Sequence, residues 1–187
     1  LFMGDTHIPT RARRVPPQFL KVIEENEPYD AIFFTGDLES GEVLEWVNSI
    51  KARKHCIVEG NMDYLPLPQF CIVELGDCKI GVIHGHQVYP RGDKKRLGVL
   101  ASRLDVDVLV NGHTHSPFVE ARVINGKSIL LLNPGSLTGV WGGGGGSLIP
   151  SMMIGVLEAR SLKLDHFELY KGSLRRRIFN IELPCTS

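Results

Sequence analysis

Short apolar runs, each closing on glycine or histidine and a polar cluster, recur through the first two thirds of the chain. Leu1–Gly4 runs into Asp5-Thr6-His7, Ala31–Thr35 into Gly36-Asp37, and Cys56–Val58 into Gly60-Asn61-Met62-Asp63. Ile80–Ile83 runs into His84-Gly85-His86, and Val106–Val110 into Asn111-Gly112-His113-Thr114-His115. Runs this short and rich in β-branched residues read as buried strands. Helical spacings separate several of them. Pro17 to Glu25 carries Phe19, Leu20 and Ile23 behind prolines suited to a first turn. Ser40 predicts an N-cap for a second helix with Val43, Leu44, Val47 and Ile50 on one face. A third helix, about Lys94 to Leu104, repeats Leu97, Leu100, Ala101 and Leu104 on one side. Strand–helix alternation of this kind predicts an α/β layered fold, here as one domain over residues 1–187.

The last third changes character. Asn125-Gly126 between two apolar runs predicts a tight hairpin. After Gly142–Gly146, strand-like runs at about Met152–Leu157, Leu162–Tyr170 and Ile178–Leu183 follow with no helical spacing between them. They predict an antiparallel addition to a second sheet. The glycine run reads as a flexible loop, since no Lys-Ser/Thr follows it to make a phosphate cradle.

Composition narrows the function classes. Of 187 residues, 43% are hydrophobic and 22% charged, which is enough apolar material for a closed core. Lys+Arg and Asp+Glu are 21 each, so no basic excess remains to neutralise a nucleic-acid backbone. Arg11-Ala12-Arg13-Arg14 and Arg175-Arg176-Arg177 read as solvated faces. The longest purely aliphatic run, Ile129–Leu132, is too short to cross a bilayer, and no basic start with an apolar stretch marks a signal peptide. The chain opens on Leu1 within an apolar run, so a few residues of the natural start are expected to be missing. Cys56, Cys71, Cys78 and Cys185 form no CxxC pair; a disulfide framework is not expected, and a reducing, intracellular setting fits them better.

The chemistry lies at the strand ends. Of seven histidines, His7, His84, His86, His113 and His115 fall in these clusters, with Asp5, Asp37, Asn61 and Asp63 in the same kind of position. Groups just past the carboxyl ends of parallel strands converge on one edge, where α/β folds bind ligands. Imidazoles, carboxylates and an amide without thiolates suit a pair of divalent ions such as Mn, Zn or Fe. A carboxylate shared between two such ions is the basis of a two-metal hydrolytic site. His55 and His166 lie outside the clusters and read as solvated or hydrogen-bonded surface.

In the order DTH, GD, GNMD, HGH and GHTH, these motifs resemble the calcineurin-like metallophosphoesterase family, over nearly the whole chain. That resemblance implies a four-layer αββα sandwich with two mixed sheets. It implies one ion on Asp5, His7, Asp37 and His115, and a second on Asp37, Asn61, His84 and His113, with Asp37 bridging. Asn61, Asp63 and His86 would be the catalytic remainder, weak or vestigial. Active monoesterases of the family carry His where this chain has Met62. A thioether cannot protonate a leaving oxygen, a contribution of about 10²–10⁴-fold.

Further stretches, GDTHIP, His84 to Asp93, Leu104 to His115 and Asn133 to Gly139, resemble the branch of the family that serves in retromer. The expectation from that branch is a scaffold subunit in endosome-to-Golgi retrograde transport with weak or no phosphatase activity. It would be cytoplasmic, peripheral on endosome membranes and reach them only through the complex. Its partner would be the α-solenoid subunit, vacuolar protein sorting-associated protein 35, docked on Val88, Tyr89 and Pro90. The alternative is an active metal-dependent phosphodiesterase acting on a small diester.

Overall fold

Successive residues of β2 (Tyr29–Phe34) belong to different apolar clusters: Ala31 and Phe33 to one, Ile32 and Phe34 to the other. A strand buried on both faces must be apolar at every position, which is why the run shows no polar alternation. The computed structural model, which describes residues 1–183, repeats this arrangement in β6 (Val108–Val110) and β8 (Lys127–Asn133). There Val108, Val110, Leu130 and Leu132 face one cluster, and Leu109, Ile129 and Leu131 another.

Three clusters fill three interlayer spaces. The first packs β1 (Phe2–Met3) and β2 against α1 (Pro17–Glu25) and α2 (Gly41–Ser49) through Phe19, Ile23, Val43 and Val47. The second lies between two sheets. The third packs α3 (Lys94–Arg103) through Leu97 and Ala101 onto the other sheet. The architecture is the αββα sandwich that the motifs imply. The helices begin where local chemistry predicts: Pro17 opens α1, Ser40 Oγ accepts the Val43 N–H at 3.4 Å, and Asp93 Oδ1 accepts the Arg96 N–H at 3.0 Å.

One sheet is ordered β11-β10-β9-β1-β2-β3, with β3 at Ala52–Ile57, β9 at Ser151–Glu158, β10 at Ser161–Tyr170 and β11 at Ser173–Glu182. The other is ordered β4-β5-β6-β8-β7, with β4 at Phe70–Leu75, β5 at Cys78–Ile83 and β7 at Phe118–Ile124. β1, β2 and β3 run parallel, as do β5, β6 and β8. The Asn125-Gly126 hairpin forms as expected, pairing Ile124 with Lys127.

Four expectations are corrected. The late strands do not build on the second sheet; β9 pairs antiparallel with β1, Phe2 opposite Met153, and so extends the first. β11 begins at Ser173 and includes Arg175, Arg176 and Arg177, because an edge strand facing water on one side tolerates charge. His166 is 4% exposed, since it shares the inward face of β10 with Leu162 and Leu164. Cys56 and Cys71 are joined by a disulfide, their Cα atoms 5.8 Å apart. β3 and β4, edge strands of different sheets, face each other across the sandwich, a proximity that sequence spacing does not reveal. With that bond the cysteine argument for a reducing compartment lapses; Cys78 is buried, and Cys185 lies outside the described residues. Among the described residues no helix is long and apolar enough to cross a membrane.

Candidate metal centre

The carboxyl ends of the parallel strands in both sheets meet at one edge. There the His113 N–H donates to Asp5 Oδ1 at 3.0 Å, and His84 Nδ1 donates to the Thr35 carbonyl at 2.7 Å, each across the two sheets. Two glycines allow this closeness. A Cβ at Gly60 would stand 2.1 Å from Asp37 Oδ1, and one at Gly112 2.4 Å from Asp5 Oδ2. The backbone is strained here as well: Asp5, His7, Asp37, Glu39, His113 and His115 all take positive φ, from 48° to 71°. Non-glycine residues adopt this region at a cost, and such residues gather at functional sites.

Asp5, His7, Asp37 and His115 form one group, each buried, with one candidate ligand atom apiece and all four atoms within 4.8 Å of one another. His7 Nε2 lies 3.1 Å from His115 Nε2 and 3.2 Å from Asp37 Oδ2, and His115 Nε2 lies 3.3 Å from Asp5 Oδ1. The other ring nitrogens decide the chemistry. His7 Nδ1 faces the Glu39 carboxylate at 2.6 Å and His115 Nδ1 the Val140 carbonyl at 2.7 Å. Both partners accept only, so both Nδ1 atoms carry hydrogen and a neutral ring presents a lone pair at Nε2. Two such lone pairs facing each other among carboxylates call for a cation or a proton between them. The donor set therefore fits a divalent ion.

A second group adjoins the first through Asp37. His84 Nε2 lies 3.3 Å from Asp37 Oδ2, 3.0 Å from Asn61 Oδ1 and 3.2 Å from His113 Nδ1. His84 is oriented like the others, with Nδ1 held by a carbonyl and Nε2 turned inward.

Charge is shared unevenly. Burial opposes ionisation of Asp37, but the hydrogen bond and charge of His84, the Met62 N–H and His7 outweigh it and hold the carboxyl at about 2. Burial likewise opposes charge on His84, yet Asp37 and Asp5 raise it above the ordinary histidine value; for His115 the Asp5 carboxylate and the Val140 carbonyl do the same. His113 goes the other way. Burial, then the positive His84 and Arg91, push it down to about 4.

The remaining residues singled out in the sequence divide. His86 lies beside the second group, ring centroids 5.4 Å from His84 and 6.4 Å from His113. Its Nδ1 is buried without a partner, and burial, then His84, lowers its proton affinity. Asp63 is buried, and both its oxygens are occupied: Oδ2 accepts the Asp37 and Gly60 N–H groups and Oδ1 that of Glu39, each at 2.8 Å. Those bonds hold two loops together. Val88 is buried in the cluster under α3, whereas Tyr89 is 80% exposed and Pro90 is exposed.

Sequence reasoning missed three contributors. Glu39 carries no motif signal. Arg91 donates to the His113 carbonyl beside the second group. The glycine run is more than a loose connection: a Cβ at Gly142 would lie 2.7 Å from His115 Cγ, so the run packs directly on a candidate ligand.

Comparison with known proteins agrees with this geometry. The model of the calcineurin-like phosphoesterase superfamily domain matches residues 1–155, and the chain belongs to that superfamily. A probable metallophosphoesterase of Methanocaldococcus jannaschii is 45% identical over 136 residues, 73% of this chain and 66% of that relative. Vacuolar protein sorting 29 of Cryptosporidium parvum superposes with a TM-score of 0.89 at 31% identity, covering 97% of this chain and 96% of that one. Vps29 of Entamoeba histolytica complexed with zinc superposes with a TM-score of 0.85 at 31% identity, covering 96% and 97%.

Proposed function

We propose that the chain is a metal-dependent phosphoesterase that acts on phosphodiesters. One observation carries the reading: Asp37 Oδ2 stands 3.2 Å from His7 Nε2 and 3.3 Å from His84 Nε2, one oxygen between two ligand groups. This supports one ion on Asp5, His7, Asp37 and His115 and another on Asp37, Asn61, His84 and His113. Two ions would supply Lewis-acid polarisation of the phosphoryl group and an activated water. The protein's own part is to hold those ligands rigid, and to offer His86, neutral near pH 7, as a hydrogen-bonding group on the substrate side. Met62 stands where a proton donor would be needed for a poor leaving group, so diesters with good leaving groups are the favoured substrates.

The 45% identity to a probable metallophosphoesterase of Methanocaldococcus jannaschii favours this reading over the scaffold expected first from the sequence. The test is turnover of bis(p-nitrophenyl) phosphate and p-nitrophenyl phosphate with Mn²⁺. Diester hydrolysis should exceed monoester hydrolysis, and Met62→His should raise the monoester rate. Wild-type protein inert on both, with metal bound, overturns the enzymatic reading.

A second reading keeps the chain as a Vps29-like subunit docked on an α-solenoid. It is supported by the TM-score of 0.89. It is also supported by the exposed ring of Tyr89 beside a groove of about 550 Å³ lined in part by Val88, Val99 and Leu100.

A further inference from the structure

His7, His84 and His115 each have the outer ring nitrogen held, but the holders differ in kind. Backbone carbonyls serve His84 and His115, whereas His7 is held by a carboxylate, that of Glu39. The Glu39 side chain is 2% exposed, and two side-chain contacts and one backbone contact fix the residue. Oε1 accepts from His7 Nδ1 at 2.6 Å, Oε2 accepts from the Thr10 hydroxyl, and the Glu39 N–H donates to Asp63 Oδ1 at 2.8 Å. Its backbone has φ of 71°, a conformation where glycine would sit without strain. Among the described residues, eleven non-glycine residues share positive φ. Asn125, Ala159 and Lys171 stand at hairpin turns, Asp105 just past α3 and Leu148 in the loop before β9, whereas Glu39 stands with Asp5, His7, Asp37, His113 and His115 at the centre.

The ordinary explanation is that an acidic residue before α2 favours the helix N-terminus. The hydrogen bonds point elsewhere: Ser40 caps α2, and the Glu39 carboxylate turns back to His7 and Thr10.

We infer that Glu39 is a positioning residue for the first of the two ions, and that it makes this ion the more tightly held. The inference rests on the two-ion reading above. An ionised carboxylate on Nδ1–H locks the tautomer that directs the Nε2 lone pair inward and makes that nitrogen a stronger donor. It also adds a buried negative charge on one side only. The first ion would have Asp5, Asp37 and, behind His7, Glu39; the second would have Asp37 as its one carboxylate, with Asn61 and two imidazoles. Two sites of similar reach therefore differ in charge.

The test is titration of the metal-stripped protein with Zn²⁺ against a competing chelator, for wild type, Glu39→Gln and Glu39→Ala. Wild type should bind in two unequal steps. Glu39→Gln keeps the shape and loses the charge; it should weaken the tighter step about 10-fold and leave the weaker step in place, and Glu39→Ala should weaken it up to about 100-fold. Co²⁺ substitution gives a second readout, because a freed His7 ring shifts the visible absorption of the tighter site in both variants. Melts of the metal-free proteins check that Glu39→Gln still folds. Two steps in wild type and both variants with unchanged affinities overturn the role of Glu39 and leave the two-ion reading standing. Wild type that takes up no ion overturns both.

Discussion

Asp63 Oδ2 accepts the backbone N–H of Asp37 at 2.8 Å, which ties the loop after β3 to the residue whose carboxylate lies between the two candidate ligand groups. Asp37 Oδ1 returns the contact by accepting the Met62 N–H at 2.9 Å. The two strand ends are thus one unit, and the Cys56–Cys71 bond closes the loop that carries Asn61, Met62 and Asp63.

Asp63→Ala leaves the N–H groups of Asp37, Glu39 and Gly60 without their acceptor. Unmet buried donors cost about 1–3 kcal/mol each, and partial rewetting of the loop reduces the sum. A loss of about 3 kcal/mol is expected in urea unfolding of the metal-free protein, with weaker metal uptake. A variant as stable as wild type would show that these bonds do not hold the loop.

Asp37→Ala should remove both ions rather than one, since its oxygen lies between the two groups. Metal at about 100 times its Kd stabilises a folded protein by about 2.7 kcal/mol. That stabilisation should vanish in the variant. Elemental analysis and melts with and without Mn²⁺ measure it; retention of one ion would mean that Asp37 does not bridge.

Metal affinity should rise with pH. His84 and His115 keep their protons above the ordinary imidazole value in the metal-free protein, so an incoming ion must displace them. His113, already neutral above about 4, contributes no such release. The same shifts set the stability of the metal-free fold. What His84 and His115 add is fully present below their unfolded value and lost as pH rises through their higher folded values. The depressed His113 works oppositely, and stability falls as pH drops from 6.5 towards about 4. Calorimetric titration with Mn²⁺ in buffers of different ionisation enthalpy, between about pH 6 and pH 8, reads the protons released. Binding without proton release would refute the raised values.

Tyr89→Asp separates the two functional readings. An exposed ring contributes little to folding, so the melt should move by no more than the equivalent of ~0.5 kcal/mol. If the chain docks on the solenoid vacuolar protein sorting-associated protein 35, the substitution should cost about 2 kcal/mol or more of binding. Calorimetry against the carboxyl-terminal half of that solenoid decides it; no binding by wild type removes the scaffold reading.

The strand-end motifs, the helix starts and the Asn125-Gly126 turn were legible in the chain because each depends on neighbours in sequence. A residue just past a parallel strand is delivered to the ligand edge by local geometry, so Asp5, Asp37, His84, His113 and His115 could be read one strand at a time. Helix caps and a two-residue turn are equally local. Other features rest on which distant segments lie side by side. Periodicity tells which residues of β9 to β11 share a face but not which strand they join; the pairing of Phe2 with Met153 decides that. The bond between Cys56 and Cys71, the inward turn of His166 and the packing of Gly142 on His115 arise the same way. Glu39 is the sharpest case. Nothing in its local sequence marks it, and its place behind His7, 32 positions away, exists only because β1 and β2 pair in parallel with Met3 opposite Phe34.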